Sequence, residues 1–211
     1  LVPSRDGVLF ARHDAGLKRS TDIARRPEFA ARATMDRSGG RDWPVHHFDR
    51  EELAALRAIQ PFGRRSRAFD SRWSLPTFED VLDVAATHSS PDRRIGIYPE
   101  LKHPAFFAAH GIDVTAICID ALRHRGHGGK SDPVWLQCFE IEPLRRIHET
   151  LALPVFFLVE PSAIGDTSWL RALHRQHTWL DGIALPKSAL MGVHGYVELV
   201  RVAHDLGWQV H

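Results

Sequence analysis

The sequence predicts an α/β fold, a parallel β-sheet covered by helices. Short continuous apolar runs rich in β-branched residues alternate with stretches whose apolar residues recur at i, i+3, i+4 and i+7. The strand runs are apolar throughout instead of alternating with polar residues, as in strands buried on both faces. The 211 residues, 44% of them hydrophobic, are enough for one sizeable core. A doubly wound sheet and a (β/α) barrel share this rhythm, and periodicity does not choose between them.

The first apolar run covers residues 8–11 and leads to His13-Asp14. Residues 18–73 are polar and rich in Arg and Asp, with one modest helix candidate over 51–59, and read as an excursion from the core. Thr77 predicts a helix start, because its hydroxyl can accept the backbone N–H three residues on and Asp80 suits the positive helix end. Phe78, Val81, Leu82 and Ala85 form that helix's apolar stripe. Residues 95–98 are the next strand candidate, running into Pro99-Glu100. Ile112, Ala116, Ile119 and Leu122 form a second stripe, and residues 134–139 read as a buried strand.

Pro143 can open a helix without losing a needed N–H. Leu144, Ile147 and Leu151 share its face. Residues 155–159 make a clear strand, 168–174 a helix and 182–185 a short strand. Leu199, Val202, Ala203 and Leu206 form the last stripe, with Gly207 placed to end it. Residues 208–211 look like the beginning of a further strand.

The 27 basic and 26 acidic side chains leave a net charge of +1, which calls for neither nucleic acid nor an anionic membrane as partner. Fourteen histidines make the charge responsive to mild acid. Cys118 and Cys138 are too few for a disulfide framework and read as buried free thiols. No apolar run approaches the roughly 18 residues of a membrane span, and residues 1–7 do not read as a signal peptide.

In parallel α/β folds the reactive side chains gather at the carboxyl ends of the strands. There His13 could act as a general acid or base oriented by Asp14, or be a surface residue at a loop start. Glu100 and Lys102 are two apart and can share a face. They could hold a hard cation and a phosphate together, or simply close the strand end as an ion pair. Gln137 and Phe139 also share a face, with core packing and loop capping as the plain alternative. His46-His47 read as loop histidines whose rings point apart. Basic residues 64–72 could attract a phosphorylated substrate or be a solvated loop. No phosphate loop, nucleophile elbow or dinucleotide fingerprint occurs.

These motifs together resemble the glycerophosphodiester phosphodiesterase family, most closely its bacterial periplasmic branch. The matching stretches are Arg5-Asp6-Gly7 through His13-Asp14 with Leu17, Arg19 and Thr21, then Leu75-Pro76-Thr77-Phe78-Glu79. The strongest is Ile95-Gly96-Ile97-Tyr98-Pro99-Glu100-Leu101-Lys102. Val134-Trp135-Leu136-Gln137-Cys138-Phe139, Asp181-Gly182-Ile183 and Val210-His211 follow in the family's order.

The resemblance implies a TIM (β/α)8 barrel, here incomplete, forming one partial domain over residues 1–211 with residues 18–73 as an insertion after the first strand present. It implies His13 as one of two catalytic histidines, Glu100 as a ligand of Ca²⁺ or Mg²⁺, Lys102 as a phosphate contact, and Gln137 and Phe139 as pocket residues, Phe139 on the glycerol side. The implied substrates are small glycerophosphodiesters, such as those of choline or ethanolamine, and the implied location is periplasmic or secreted. The family's opening His-Arg-Gly and Glu-x-Asp motifs do not occur in their expected places; His124-Arg125-Gly126 sits at a helix end. About six of eight barrel strands are therefore expected, with weak ion binding and little activity or stability for the chain by itself. The rival readings are a related phospholipase D-like enzyme on the same barrel, which lacks the long insertion, and a non-catalytic barrel remnant.

Overall fold

The computed structural model describes residues 1–36, 39–161, 167–187 and 195–211. The chain opens with an antiparallel pair, β1 (Val2–Pro3) and β2 (Leu9–Phe10). Ser4 and Gly7 make the turn between them: Gly7 N–H donates to Ser4 O at 3.1 Å, and the positive φ of Gly7 (80°) is one that glycine adopts without strain. The run over residues 8–11 is thus a hairpin arm and not a member of the parallel sheet, which revises the expected strand count. Among the described residues the parallel sheet has five strands.

The excursion holds an antiparallel pair, β3 (Thr34–Met35) and β4 (Arg41–Asp42), three short 3₁₀ turns and a five-residue helix α1 (Arg50–Ala54). It is shorter in regular structure than its length allows, yet it has its own apolar residues. Ile23, Val45, Phe48, Leu53 and Leu56 are fully buried and join the same core cluster as the sheet. Helix α2 (Phe78–Thr87) starts where Thr77 predicts. The Thr77 hydroxyl accepts from Asp80 N–H at 3.1 Å, and the Asp80 carboxylate in turn accepts from Thr77 N–H at 2.8 Å.

The sheet comprises β5 (Glu100–Leu101), β6 (Leu136–Cys138), β7 (Val155–Leu158), β8 (Gly182–Ala184) and β9 (Gln209–Val210), parallel and in sequence order. Helices α3 (Pro104–Ala109) and α4 (Val114–His124) connect β5 to β6, α5 (Ile141–Leu151) connects β6 to β7, α6 (Ser168–Gln176) connects β7 to β8, and α7 (Gly195–Asp205) connects β8 to β9. The strand expected over 95–98 makes only one bridge, Ile97 to Val134, and the ladder proper begins at Glu100. Pro99 has no N–H to donate to a ladder at the intervening position. Helix α3 has no apolar stripe long enough to announce it; Pro104 in its first turn is its one sequence mark.

The sheet is rolled. Tyr98 lies just before β5 and His211 just after β9, four strand spacings apart in the sheet order. Flat, that separation is about 19 Å at roughly 4.8 Å per strand. Yet the Tyr98 hydroxyl and His211 Nδ1 are 3.0 Å apart, and both rings pack on Phe156 of the central strand, His211 stacked at 4.0 Å and Tyr98 edge-on at 5.8 Å. Side chains of the two outer strands can meet over the middle one only on the concave face of a barrel. Gly182 permits the tight curve: a Cβ there would sit 2.1 Å from Gln209 O. Along the other edge of β5, the Leu1 carbonyl accepts from Lys102 N–H at 3.1 Å, and the Leu1 amino group donates to Glu100 O.

Two further expectations meet the structure. Cys118 and Cys138 are free and buried, and burial pushes both thiols up to about 12. His46 and His47 are not splayed loop residues. They lie in a 3₁₀ turn with ring centroids 4.6 Å apart, and His46 is buried edge-on against Phe106, Phe107 and His110. The turn, not an extended segment, brings adjacent rings together.

Candidate active site

The register of the sheet sets the first part of the site. Glu100 of β5 stands directly beside Gln137 of β6, so their side chains leave the same face. Lys102 follows Glu100 by two residues, and its Nζ lies 2.6 Å from Glu100 Oε1, with both side chains largely shielded from solvent (11% and 19% exposed). The contact is close but poorly aligned: Glu100 Oε1 is buried and has no hydrogen bond of good geometry. That oxygen keeps lone pairs free for another donor or a cation.

A loop supplies the second part. His13 follows β2, and its Nδ1 lies 2.7 Å from Asp14 Oδ1. An ionised carboxylate can only accept, so Nδ1 is the donor in this contact. Burial by itself would raise the Asp14 carboxyl, but the His13 hydrogen bond and Arg19, whose Nη1 is 3.5 Å from Oδ2, outweigh it and hold Asp14 below the usual carboxylate range. Asp14 is therefore ionised at neutral pH and fixes the tautomer of His13. The imidazole itself is 79% exposed and open to a ligand.

One cleft of about 400 Å³ brings these parts together. His13, Glu100, Lys102 and Gln137 all line it, with Arg12 and Tyr98. Phe139 does not. It lies on an adjoining smaller pocket with Glu100, Lys102 and Glu160, and is 41% exposed. Sequence reasoning passed over Arg12 and Tyr98. Burial raises the Tyr98 phenol above its ordinary value, so it stays a neutral donor. Arg12 had a visible mark, a charged residue directly before His13 in an otherwise apolar run.

The donor set bears on a divalent ion. Mg²⁺ and Ca²⁺ take six or more oxygen ligands. The described residues offer the Glu100 carboxylate, whose Oε1 faces Lys102 Nζ, and no cluster of three or more acidic, histidine or cysteine ligands. They supply one corner of such a site and not the whole of it.

A rolled parallel β/α sheet, with a carboxylate and an ammonium at the end of β5 and an imidazole on the loop after β2, defines a protein of the (β/α) barrel class. The glycerophosphoryl diester phosphodiesterase family model matches residues 1–211, and the chain belongs to that family. It is 27% identical over 240 aligned positions to the glycerophosphodiester phosphodiesterase GDPD6 of Arabidopsis thaliana, covering 100% of this chain and 64% of the relative. It is 30% identical over 163 positions to the glycerophosphodiester phosphodiesterase of Haemophilus influenzae, covering 72% of this chain and 43% of the relative.

Among solved structures, one from Silicibacter pomeroyi named for the same family superposes with a TM-score of 0.71 at 21% identity, over 99% of this chain and 69% of that one. The Thermotoga maritima glycerophosphodiester phosphodiesterase does so with a TM-score of 0.60 at 14% identity, over 99% and 68%. These likenesses establish the TIM-barrel fold. The chain thus spans from under half to about two thirds of the length of these four proteins.

Proposed function

We propose that this chain carries the phosphodiester-gripping part of a glycerophosphodiester phosphodiesterase, which cleaves the phosphate ester of a glycerophosphodiester to glycerol phosphate and an alcohol. The observation that carries the reading is that His13, Glu100, Lys102 and Gln137 line one cleft. The Lys102 ammonium offsets charge on the non-bridging phosphate oxygens as it builds in the transition state. His13, with Nδ1 held by Asp14, offers Nε2 either to take a proton from the attacking hydroxyl or, once protonated, to give one to the leaving alcohol. Gln137 positions the substrate beside Glu100, and Phe139 bounds the glycerol side from the adjoining pocket that it shares with Glu100 and Lys102.

Glu100 would be one ligand of a divalent ion, Ca²⁺ or Mg²⁺, which when bound would add positive charge opposite the phosphate. With a single carboxylate in that cleft, ion affinity of the 211 residues by themselves is low, and so is their turnover. Titrating the isolated chain with Ca²⁺ while following tryptophan fluorescence tests the first statement. Tight saturable binding would contradict it. Residues 1–211 act as one domain in this reading, and the location is periplasmic or secreted. Among the described residues no helix is long and apolar enough to cross a membrane.

His13→Ala, made in the protein that carries this chain, should lower turnover of glycerophosphodiesters by roughly 10²–10⁴ if the imidazole moves a proton. A loss below about tenfold, with the fold intact, removes His13 from that role.

A further inference from the structure

A second cleft, of about 490 Å³, opens on the other side of His13, against the excursion. Its wall is mostly apolar. Its polar groups are Arg12, Arg19, Ser20, His13 and Asp14, and Phe62 closes one side. The balance of used and unused partners is uneven.

The groups that could receive a cation are occupied. Asp14 gives one oxygen to His13 at 2.7 Å and the other to Arg19 at 3.5 Å. The Phe62 ring already has the Arg19 guanidinium 5.1 Å and the Arg65 guanidinium 4.7 Å from its centroid. An ammonium head group entering here meets neither a free carboxylate nor an unoccupied ring, and two guanidinium groups repel it.

Arg12, in contrast, is under-neutralised. Arg12 Nη2 donates to two neutral acceptors, Gly16 O at 2.9 Å and Ser20 Oγ at 3.2 Å. Arg12 forms no ion pair among the described residues, and its Nε has no hydrogen-bond partner. Burial lowers its guanidinium to about 10, against the pull of Asp14 and Asp42, so it remains charged at neutral pH. A buried charge without a direct ion pair is costly, and an anion that reaches it recovers part of that cost.

We propose that this cleft takes the head-group end of the substrate and selects one bearing its own negative charge, a carboxylate or a second phosphate, over a quaternary ammonium. The proposal rests on the reading of His13 as catalytic, and it departs from the choline and ethanolamine head groups that the family resemblance implies. The two clefts meet at His13 and Arg12, so a phosphodiester gripped by Lys102 extends its leaving alcohol into the arginine-lined side.

The test uses the protein that carries this chain. Turnover of glycerophosphoinositol phosphate is compared with that of glycerophosphocholine, and calorimetry follows binding of inositol phosphate, which needs no turnover. The expected result is a preference of about tenfold or more in kcat/KM for the anionic diester, together with saturable inositol phosphate binding. Arg12→Gln should abolish the preference, and Arg19→Gln, at a more exposed site, should reduce it about two- to fivefold. Should Arg12→Gln fail to fold, Arg19→Gln decides. Hydrolysis of both diesters without preference, or an unchanged ratio in Arg19→Gln, overturns the proposal and leaves the phosphodiesterase reading standing. Inositol phosphate binding with no turnover of either diester sinks the phosphodiesterase reading and keeps the anion cleft. Neither binding nor turnover sinks both.

Discussion

The two halves of the site are held in different ways. Glu100 and Gln137 are fixed by a ladder: once β5 and β6 pair, their side chains must emerge together. His13, Asp14 and Arg12 are fixed by a loop network. Ala11 N–H donates to Pro76 O, Arg12 to Gly16 O, Leu17 N–H to Trp43 O and Val45 N–H to Ala15 O. The sheet side is apolar and mostly backbone-bonded. The excursion side relies on arginine pairs, such as Arg26 with Asp22 at 2.8 Å and Arg32 with Glu52 at 2.5 Å. The difference teaches that one cleft can be walled half by a ladder and half by a polar mesh, provided both rest on one core.

The sharpest way to break this picture is to open the shared core from each side. Phe107→Ala on the sheet side and Phe48→Ala in the excursion each remove a fully buried ring of that core. Each should cost about 3–5 kcal/mol, read as a fall in thermal midpoint. A shared core requires one cooperative transition in both variants. Separate melting of the excursion in Phe48→Ala would show that the two regions are independent.

Next in size is the ion pair at the strand end. Lys102→Met strands a largely shielded carboxylate, and Glu100→Gln strands the ammonium. Each single change should destabilise by about 1–3 kcal/mol. The double variant should regain much of that stability while turnover stays lost. Recovery of turnover in the double variant would make the pair structural only.

Acid should distinguish the halves as well. Burial, then the neighbouring His47 and His110, lower the His46 imidazole to about 4. The unfolded chain therefore binds a proton at higher pH than the native one does. The sign follows: the contribution of neutral His46 is complete above about 6.5 and is lost as pH falls from there toward 4. The loss is on the order of 1–2 kcal/mol. His46→Leu should flatten the pH dependence of the midpoint over that window, and an unchanged slope would remove His46 as its source.

The smallest expected effect is at the junction between the halves. Thr77→Ala deletes the cap of α2 and should cost about 1 kcal/mol, measured by denaturant midpoint. A loss well above 2 kcal/mol would mean that Thr77 also anchors β2, to which it bridges through Phe10.

Much was legible beforehand. The stripes of α2, α4, α5 and α7 and the runs of β6, β7 and β8 appear in the sequence because burial dictates residue type along each element. The Thr77 cap was readable for the same local reason. Helix α3 and the 3₁₀ turns were not, since six or fewer residues are too few for an apolar residue to recur along a stripe. The hairpin at residues 8–11 was mistaken for a parallel strand, because an apolar run does not record the direction of its partner. His46 was misread because a turn geometry, not its residue type, buries it.

The chain's own order of residues determined the α/β class, the helix starts and the pairing of Glu100 with Lys102, all consequences of spacing along one element. Only the tertiary structure decided between a flat sheet and a barrel, through Tyr98 and His211 meeting over Phe156. It alone brought His13 and Arg12 to the same cleft as Glu100. The physical reason is that curvature and long-range meeting depend on how elements pack, and packing sums contributions from residues nearly 90 positions apart, a distance no local pattern encodes.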